Sequence, residues 1–155
     1  IPHIKRLRIH TRLPVVIPSR IDDELLLWMQ STRLKPIMVL HINHPNEIDS
    51  AVEESLRRLR KIGIRLLNQS VLLKNVNDCS NVLIALSEHL YSCEVTPYYL
   101  HLLDPVEGAA HFHVDKARIK AVYSEMQAVL PGFLLPRLVK ETPGELSKTI
   151  VCVND

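Results

Sequence analysis

Apolar and polar residues follow one another along the chain in a pattern that predicts strands alternating with helices. Four short apolar runs are typical of strands, and each precedes a polar loop and a helical segment. These runs are 4–11, 37–42, 64–73 and 98–103. The last three helical segments carry about one apolar residue per turn, which indicates amphipathic helices. Their apolar stripes are Ile48, Val52, Leu56 and Leu59; Val82, Leu83, Leu86 and Leu90; and Ile119, Val122, Met126 and Val129.

The predicted strands start roughly 30 residues apart, which is the length of one strand–helix unit. This order predicts an α/β fold with a parallel sheet and right-handed crossovers. Two architectures fit the pattern, an open doubly wound sheet and a (βα) barrel. We expect residues 1–130 to form the sheet with its helices and residues 131–155 to form an irregular tail. Asp78 or Ser80 is expected to cap the helix after the third strand.

Composition narrows the class of protein. The 155 residues include 19 basic and 17 acidic side chains, for a net charge of +2. The basic run 57–61 lies on a predicted helix and lacks the interleaved aromatic residues that stack on bases, so we expect no nucleic-acid partner. Without a membrane-length apolar run or a visible signal peptide, and with three widely spaced cysteines, a cytoplasmic location is expected. The start at Ile1 rather than Met indicates a processed or cloned piece of something longer.

Each predicted strand ends in side chains that form hydrogen bonds. The segments are IHTR (9–12), LHINH (40–44), LNQS (67–70) and LHLLD (100–104). Both architectures gather the carboxyl ends of their strands at one edge of the sheet, so these four polar ends predict a shared ligand pocket. No glycine-rich phosphate loop follows any of the strands, which argues against a self-contained dinucleotide or P-loop site.

Individual residues at these strand ends allow several interpretations. His41 and His44 could bind zinc only with further ligands, since their rings point to opposite faces of a strand, and a His41 that holds a polar ligand is preferred. Gln69 is either a paired core amide or a ligand contact. Asp104 is either a loop cap or a binder of a cationic ligand, and it could also form an acid–base pair with His41. Lys148, in a Pro-Gly-containing tail, needs a desolvated pocket for Schiff-base chemistry.

Four longer segments occur in a fixed order along the chain, namely LHINHPNEID, LLNQSVLLKNVND, TPYYLHLLD and ETPGELSKT. In this order they resemble the lysine 2,3-aminomutase family of radical S-adenosylmethionine (SAM) proteins. The resemblance covers essentially the whole chain and corresponds to the carboxyl-terminal part of the family. It implies the last four strands of a six-unit partial (βα) barrel, followed by the tail.

The resemblance also implies roles for five residues. Lys148 falls where the family's lysine binds pyridoxal phosphate (PLP), and His41 and Gln69 fall at positions that contact SAM. Asp104 falls on an aspartate that binds the distal ammonium of the substrate. Glu141 takes the place of a second such aspartate and has a longer side chain. The segment PGELSK departs from the glycine-rich turn that precedes the family's lysine.

The activity implied by the resemblance is an isomerisation of L-lysine to β-lysine, with SAM, PLP and a [4Fe–4S] cluster as cofactors and a link to the modification of elongation factor P. The family's Cys-x-x-x-Cys-x-x-Cys cluster motif is absent from this sequence, so we expect the chain to be inactive by itself. The alternative is a non-catalytic half-barrel interaction module. An unpaired edge on the first strand predicts a homo-oligomer or association through that edge.

Overall fold

A computed structural model describes residues 1–153, in which strands and helices alternate as an α/β fold. The strands β1 to β6 are Arg6–Thr11, Lys35–Leu40, Arg65–Val71, Val95–His101, Arg137–Lys140 and Thr149–Ile150. The helices α1 to α5 are Leu13–Val16, Asp23–Ser31, Ser50–Lys61, Ser80–Ser92 and Lys116–Val129. The sequence-based prediction of an α/β fold is confirmed.

The six strands form one sheet in which neighbours in space are also neighbours along the chain. The order is β1-β2-β3-β4-β5-β6; the first five strands are parallel, and β6 is antiparallel to β5. A doubly wound sheet requires a reversal of strand order, and residues 1–153 contain none. With right-handed crossovers, a consecutive order puts all connecting helices on one face of the sheet.

The segment after α5 is more ordered than the sequence predicts. Residues 131–153 are not irregular throughout, because β5 extends the parallel sheet beside β4 and β6 returns along β5. Both strands are short, at four and two residues, so each lacks the long alternating pattern by which strands are recognised. The expectation of an irregular tail is therefore wrong for these two strands.

Helix caps explain where α3, α4 and α5 begin. The side chains of Asp49 and Asp115 accept hydrogen bonds from the third backbone N–H of α3 and α5, at 2.9 Å in both cases. The predicted cap of α4 by Asp78 or Ser80 is wrong. Cys79 occupies the cap position without a side-chain hydrogen bond, while Asp78 accepts from a loop N–H and Ser80 donates to a glutamate of α5.

The core lies between the sheet and the helices, on what we call the helix face of the sheet. Its two apolar clusters take strand residues from one face only, because side chains alternate between the two faces of a strand. On β2 to β5 these residues are Met38, Leu40, Leu66, Val95, Leu100 and Leu138. Val95 and Leu100 share this face because a bulge between them shifts the alternation along β4. The alternate residues form the opposite face. Its members on the same strands include Val39, Leu67, Gln69, Tyr99, His101, Arg137 and Val139.

No helix of residues 1–153 has both the length and the apolar character that a membrane span requires.

Candidate active site at the carboxyl ends of the strands

The opposite face becomes polar and aromatic at the carboxyl ends of the strands. We call this group the strand-end site. Its residues are His10, His41, Gln69, Tyr99, His101, Glu141 and Lys148. Register brings them together, since Gln69 is paired with Tyr99 across β3 and β4, and a bulge at Asn68/Gln69 shifts the pairing just before this point. Bulges commonly redirect side chains next to functional sites.

His41 and Gln69 contact each other directly. The amide Nε2 of Gln69 lies 3.1 Å from Nε2 of His41. An amide NH₂ can only donate, so in this pair the imidazole nitrogen accepts and the ring proton resides on Nδ1. Burial, followed by the nearby Arg12 guanidinium, lowers the pKa of His41, which agrees with a neutral accepting ring. The two residues predicted to share a ligand are therefore adjacent.

Lys148 and Glu141 form an ion pair where β5 ends and β6 begins. Antiparallel pairing of Val139 with Ile150 and of Lys140 with Thr149 brings the flanking positions opposite each other. The Lys148 ammonium also lies 5.8 Å from the ring centroid of Tyr99, within the range of a cation–π contact. Its hydrogen bond to Glu141 lowers the pKa of that carboxyl. The amine is thus held beside an aromatic ring on the opposite face.

Two polar atoms of the site are buried and have no hydrogen-bond partner among residues 1–153. They are Nε2 of His101 and Oε1 of Gln69, and His101 as a whole is only 8% exposed. Buried polar atoms are nearly always paired, so unpaired ones call for an explanation such as an absent ligand or water. Burial, followed by the charge of Lys148, lowers the pKa of His101.

His10 connects the first strand to the rest of the site. Its ring meets that of His41 edge to face, with centroids 6.2 Å apart. Burial lowers the pKa of His10, and the charges of Arg8 and Lys148 lower it further. The Lys148 charge acts on both His10 and His101, so the Lys148–Glu141 pair and the His41–Gln69 pair belong to one electrostatic environment.

Asp104 lies beside this group rather than within it. It is exposed, and together with Glu141 it lines a cavity of about 270 Å³ that is otherwise mostly apolar. Its charge raises the pKa of His101, so the carboxylate is close enough to affect the site. The structure thus brings four predicted residues, His41, Gln69, Glu141 and Lys148, to the strand ends and leaves Asp104 at a neighbouring cavity.

His44 has a different position from His41. Its Nδ1 accepts a hydrogen bond from the backbone N–H of Asn46 at 3.1 Å and caps the short 3-10 turn Pro45–Glu47. Asn43, between the two histidines, accepts from the N–H of Val71 at 2.8 Å and so ties the ends of β2 and β3 together. His44 therefore caps a turn and is not one of the residues of the strand-end site. Among residues 1–153, the one group of three or more candidate metal ligands does not include His41 or His44.

Tyr99, His101 and His10 were not singled out from the sequence, although His10 and His101 lie in the polar strand ends and Tyr99 directly precedes the last of them. The sequence signal that could have identified them is the alternation of side chains between the two faces of a strand. Tyr99 and His101 are two residues apart, and so share a face of β4. Gln69 is paired with Tyr99 across β3 and β4, so if Gln69 lies on the opposite face, Tyr99 lies there too.

Curated proteins resemble this chain along nearly its full length. L-lysine 2,3-aminomutase of Haemophilus influenzae is 50% identical over 150 residues, covering 97% of this chain and 44% of that protein. The Escherichia coli L-lysine 2,3-aminomutase is 48% identical over 149 residues, covering 96% and 44%. That of Clostridium subterminale is 36% identical over 155 residues, covering 99% and 37%.

The chain corresponds to a carboxyl-terminal part of lysine 2,3-aminomutase-like proteins. No protein-family model matches it. The chain spans less than half the length of the curated relatives named above. The family resemblance drawn from the four sequence segments is confirmed, and the roles of individual residues remain predictions.

Proposed function

We propose that this chain supplies the PLP-binding lysine and the surrounding strand ends of a radical SAM aminomutase that converts L-lysine to β-lysine. The observation that carries the proposal is the position of Lys148 beside Tyr99 at the carboxyl ends of parallel strands, in a chain that corresponds to part of lysine 2,3-aminomutase-like proteins. Consecutive strand order and helices on one face support an arc of a (βα) barrel. In such a fold the carboxyl ends of the strands carry the chemistry.

The residues around Lys148 fit PLP. Lys148 would hold the cofactor, and its side chain is only 28% exposed, so part of its surroundings already excludes water. The unpaired Nε2 of His101 would gain a hydrogen-bond partner from a bound ligand. When bound, PLP supplies an electron-accepting π-system for the reacting amine. Tyr99 limits the position of Lys148 from one side, and Glu141 orients its ammonium from the other.

His41 and Gln69 fit a contact with SAM. Their mutual hydrogen bond fixes the imidazole tautomer and leaves the carbonyl oxygen of Gln69 without a partner. That oxygen is a hydrogen-bond acceptor, so it suits an amino or hydroxyl group of a ligand. In this proposal His41 is a neutral positioning group, because burial lowers its pKa.

Asp104 and Glu141 are proposed to bind the distal ammonium of the substrate. Both carboxylates line the same cavity of about 270 Å³, and its apolar walls suit the methylene chain of an amino acid such as lysine. Glu141 also pairs with Lys148, so it would have to release Lys148 when the cofactor is attached. Its greater length, compared with the aspartate of the family, allows it to reach either partner.

The iron–sulfur cluster does not fit the residues of this chain. Cys79, Cys93 and Cys152 are free thiols, and among residues 1–153 no group of three cysteines converges. The proposed reaction therefore requires cluster ligands from residues outside this sequence. A cytoplasmic location, supported by the free thiols, and a link to elongation factor P belong to the same proposal.

Reductive trapping tests the proposal at its central residue. The chain is incubated with PLP, treated with borohydride, digested and analysed by mass spectrometry. We expect one pyridoxyl group per chain, attached to Lys148, and its loss in Lys148→Ala. Lys140→Ala is the matched control, since Lys140 is a nearby lysine on the helix face of β5. Attachment that is undiminished in Lys148→Ala, or that is lost equally in Lys140→Ala, would contradict the proposal.

A second candidate function is that of an interaction module, and the edge of the sheet favours it. Within residues 1–153, β1 pairs only with β2, so one edge of β1 is unpaired. Beside it lies a cavity of about 390 Å³ whose walls include Ile9, Leu25 and Trp28. Light scattering after size exclusion should then show a dimer or larger oligomer that Trp28→Ser weakens and Tyr91→Ser, an exposed aromatic elsewhere, does not. A monomer at all concentrations would exclude self-association.

A further inference from the structure

Three potential metal ligands converge on the outer surface of the helix layer, between α3 and α4. They are a carboxylate oxygen of Glu53, an imidazole nitrogen of His89 and the thiol sulfur of Cys93. These atoms lie within 4.8 Å of one another, and they form the single group of this kind found among residues 1–153. None of them belongs to the strand-end site.

Local structure holds two of the three ligands on one helical face. His89 and Cys93 are four residues apart, so they project from neighbouring turns on the same side of α4. Cys93 forms the carboxyl cap of the helix, and its N–H donates to the carbonyls of His89 and Leu90 at 3.2 and 3.1 Å. The spacing of the two side chains is therefore fixed by backbone hydrogen bonds. The same i,i+4 spacing carries paired metal ligands in helical zinc sites.

Glu53 completes the group from α3. Its Oε1 lies 3.1 Å from Nε2 of His89, so the carboxylate already approaches the imidazole across the helix interface. The last turn of α4 has the partial negative charge of a helix carboxyl terminus, which favours a bound cation. Glu53 is half exposed and His89 partly exposed, so both can adjust without disturbing the core.

We propose that Glu53, His89 and Cys93 form a binding site for a divalent transition metal of the zinc class. One nitrogen, one sulfur and one oxygen ligand form a set that Zn²⁺ binds tetrahedrally, with water in the fourth position. Zinc–ligand bonds of about 2.0–2.3 Å separate tetrahedral ligands by roughly 3.3–3.8 Å, so the present group has to contract by about 1 Å. The exposed carboxylate provides that movement.

Binding exchanges protons for metal. Without metal, the Nε2–H of His89 donates to the Glu53 carboxylate. When metal binds, this hydrogen bond is broken and the ring proton moves to Nδ1, so that the Nε2 lone pair binds the metal. The Cys93 thiol loses its proton to solvent as the sulfur–metal bond forms. Burial and the charge of Glu53 raise the pKa of Cys93, so the metal-free thiol stays protonated. One proton is therefore released for each metal ion bound by Cys93. The site is independent of the proposed aminomutase function.

Cobalt titration of the 155-residue chain tests the site. We expect one Co²⁺ per chain, a near-ultraviolet band from thiolate-to-cobalt charge transfer, and displacement by Zn²⁺. Cys93→Ser should abolish the band. His89→Ala should weaken Co²⁺ binding by at least about 100-fold, because loss of a residue that merely supports a metal ligand already lowers metal affinity by about 10–100-fold. Glu53→Gln should weaken it by about 10-fold or more. Cys79→Ser and Glu54→Gln are the matched controls and should bind like the unaltered chain.

A second measurement needs no substitution. Zn²⁺ should protect Cys93 from alkylation by iodoacetamide, with Cys79 and Cys152 alkylated at unchanged rates, as read by peptide mass spectrometry. This result would support the site even if a ligand variant failed to fold. A charge-transfer band that persists in folded Cys93→Ser, or alkylation of Cys93 that Zn²⁺ does not slow, would overturn the proposal.

Discussion

Neighbouring residues of β3 point to opposite faces of the sheet, and the two faces differ in burial and in hydrogen bonding. On the helix face, Leu66 is buried in the core, and Asn68 is buried with both ends of its amide paired. On the opposite face, Leu67 is only partly buried, and Gln69 keeps a carbonyl oxygen without a partner. The buried amide of the helix face is fully paired, whereas the opposite face has unused hydrogen-bonding capacity at the strand ends. This difference separates residues that hold the fold from residues available to a ligand.

The largest expected effect comes from the two adjacent leucines. Leu66→Ala should lower the free energy of unfolding by about 2–5 kcal/mol, because it leaves a cavity in a packed core. Leu67→Ala, the same substitution one residue later, should cost less than about 1.5 kcal/mol, since the partly buried side chain loses less buried area. Urea unfolding followed by circular dichroism measures both. Equal losses would mean that the opposite face is packed as tightly as the helix face.

The next effect compares the two adjacent amides. Asn68 accepts from the N–H of Ile42 at 2.9 Å and donates to the carbonyl of Ile42 at 3.0 Å. Asn68→Ala leaves that buried N–H unpaired and should cost about 1–3 kcal/mol. Gln69→Ala removes one partly buried hydrogen bond to His41, while the carbonyl oxygen has no partner to lose, so it should cost only about 0.5–1.5 kcal/mol. A large loss for Gln69→Ala in the same unfolding assay would show a structural role that competes with ligand contact.

The smallest effect concerns pH and the histidines of the opposite face. Burial lowers the pKa of His10, His41 and His101 in the folded chain, whereas an unfolded histidine titrates near about 6.5. As the pH falls below that value, the unfolded chain takes up protons first, so the free energy of unfolding should decrease. The loss is complete only below the folded pKa values. Stability should therefore be higher at neutral pH than at mildly acidic pH.

Substitution of one histidine sharpens this prediction. His101→Asn should flatten the dependence of unfolding free energy on pH, measured by urea unfolding at several pH values between about 7.5 and 5. His113→Asn, at an exposed histidine outside the strand-end site, should leave the dependence unchanged. If both variants keep the original slope, His101 does not contribute to the acid sensitivity.

Much of the helix face could be predicted from the sequence because its signals are local. Apolar stripes and aspartate caps mark α3 and α5, and both helices begin within two residues of an aspartate that caps them. The polar strand ends were also visible, since a strand that ends in histidine or glutamine departs from an apolar run. These features depend only on periodicity and on neighbours in the chain.

The opposite face and the end of the chain could be predicted only in part. Two-residue β6 has no pattern of its own and exists because it pairs with β5. The importance of His101 comes from the burial of one ring nitrogen, which follows from packing between strands and not from its local sequence. Asp104 could be recognised as a strand-end carboxylate, but its position at a neighbouring cavity depends on the path of the loop after β4.

The return of the chain along β5 has a consequence for biosynthesis. Strand order equals chain order, so each strand–helix unit can dock on the one made before it as the polypeptide leaves the ribosome. Lys148 directly precedes β6, which within residues 1–153 pairs only with β5, and β5 in turn pairs with β4. The amine therefore joins the site after the strands that surround it have assembled. A nascent chain that stalls before residue 148 would have most of its core formed and no lysine at this position to react with an aldehyde cofactor.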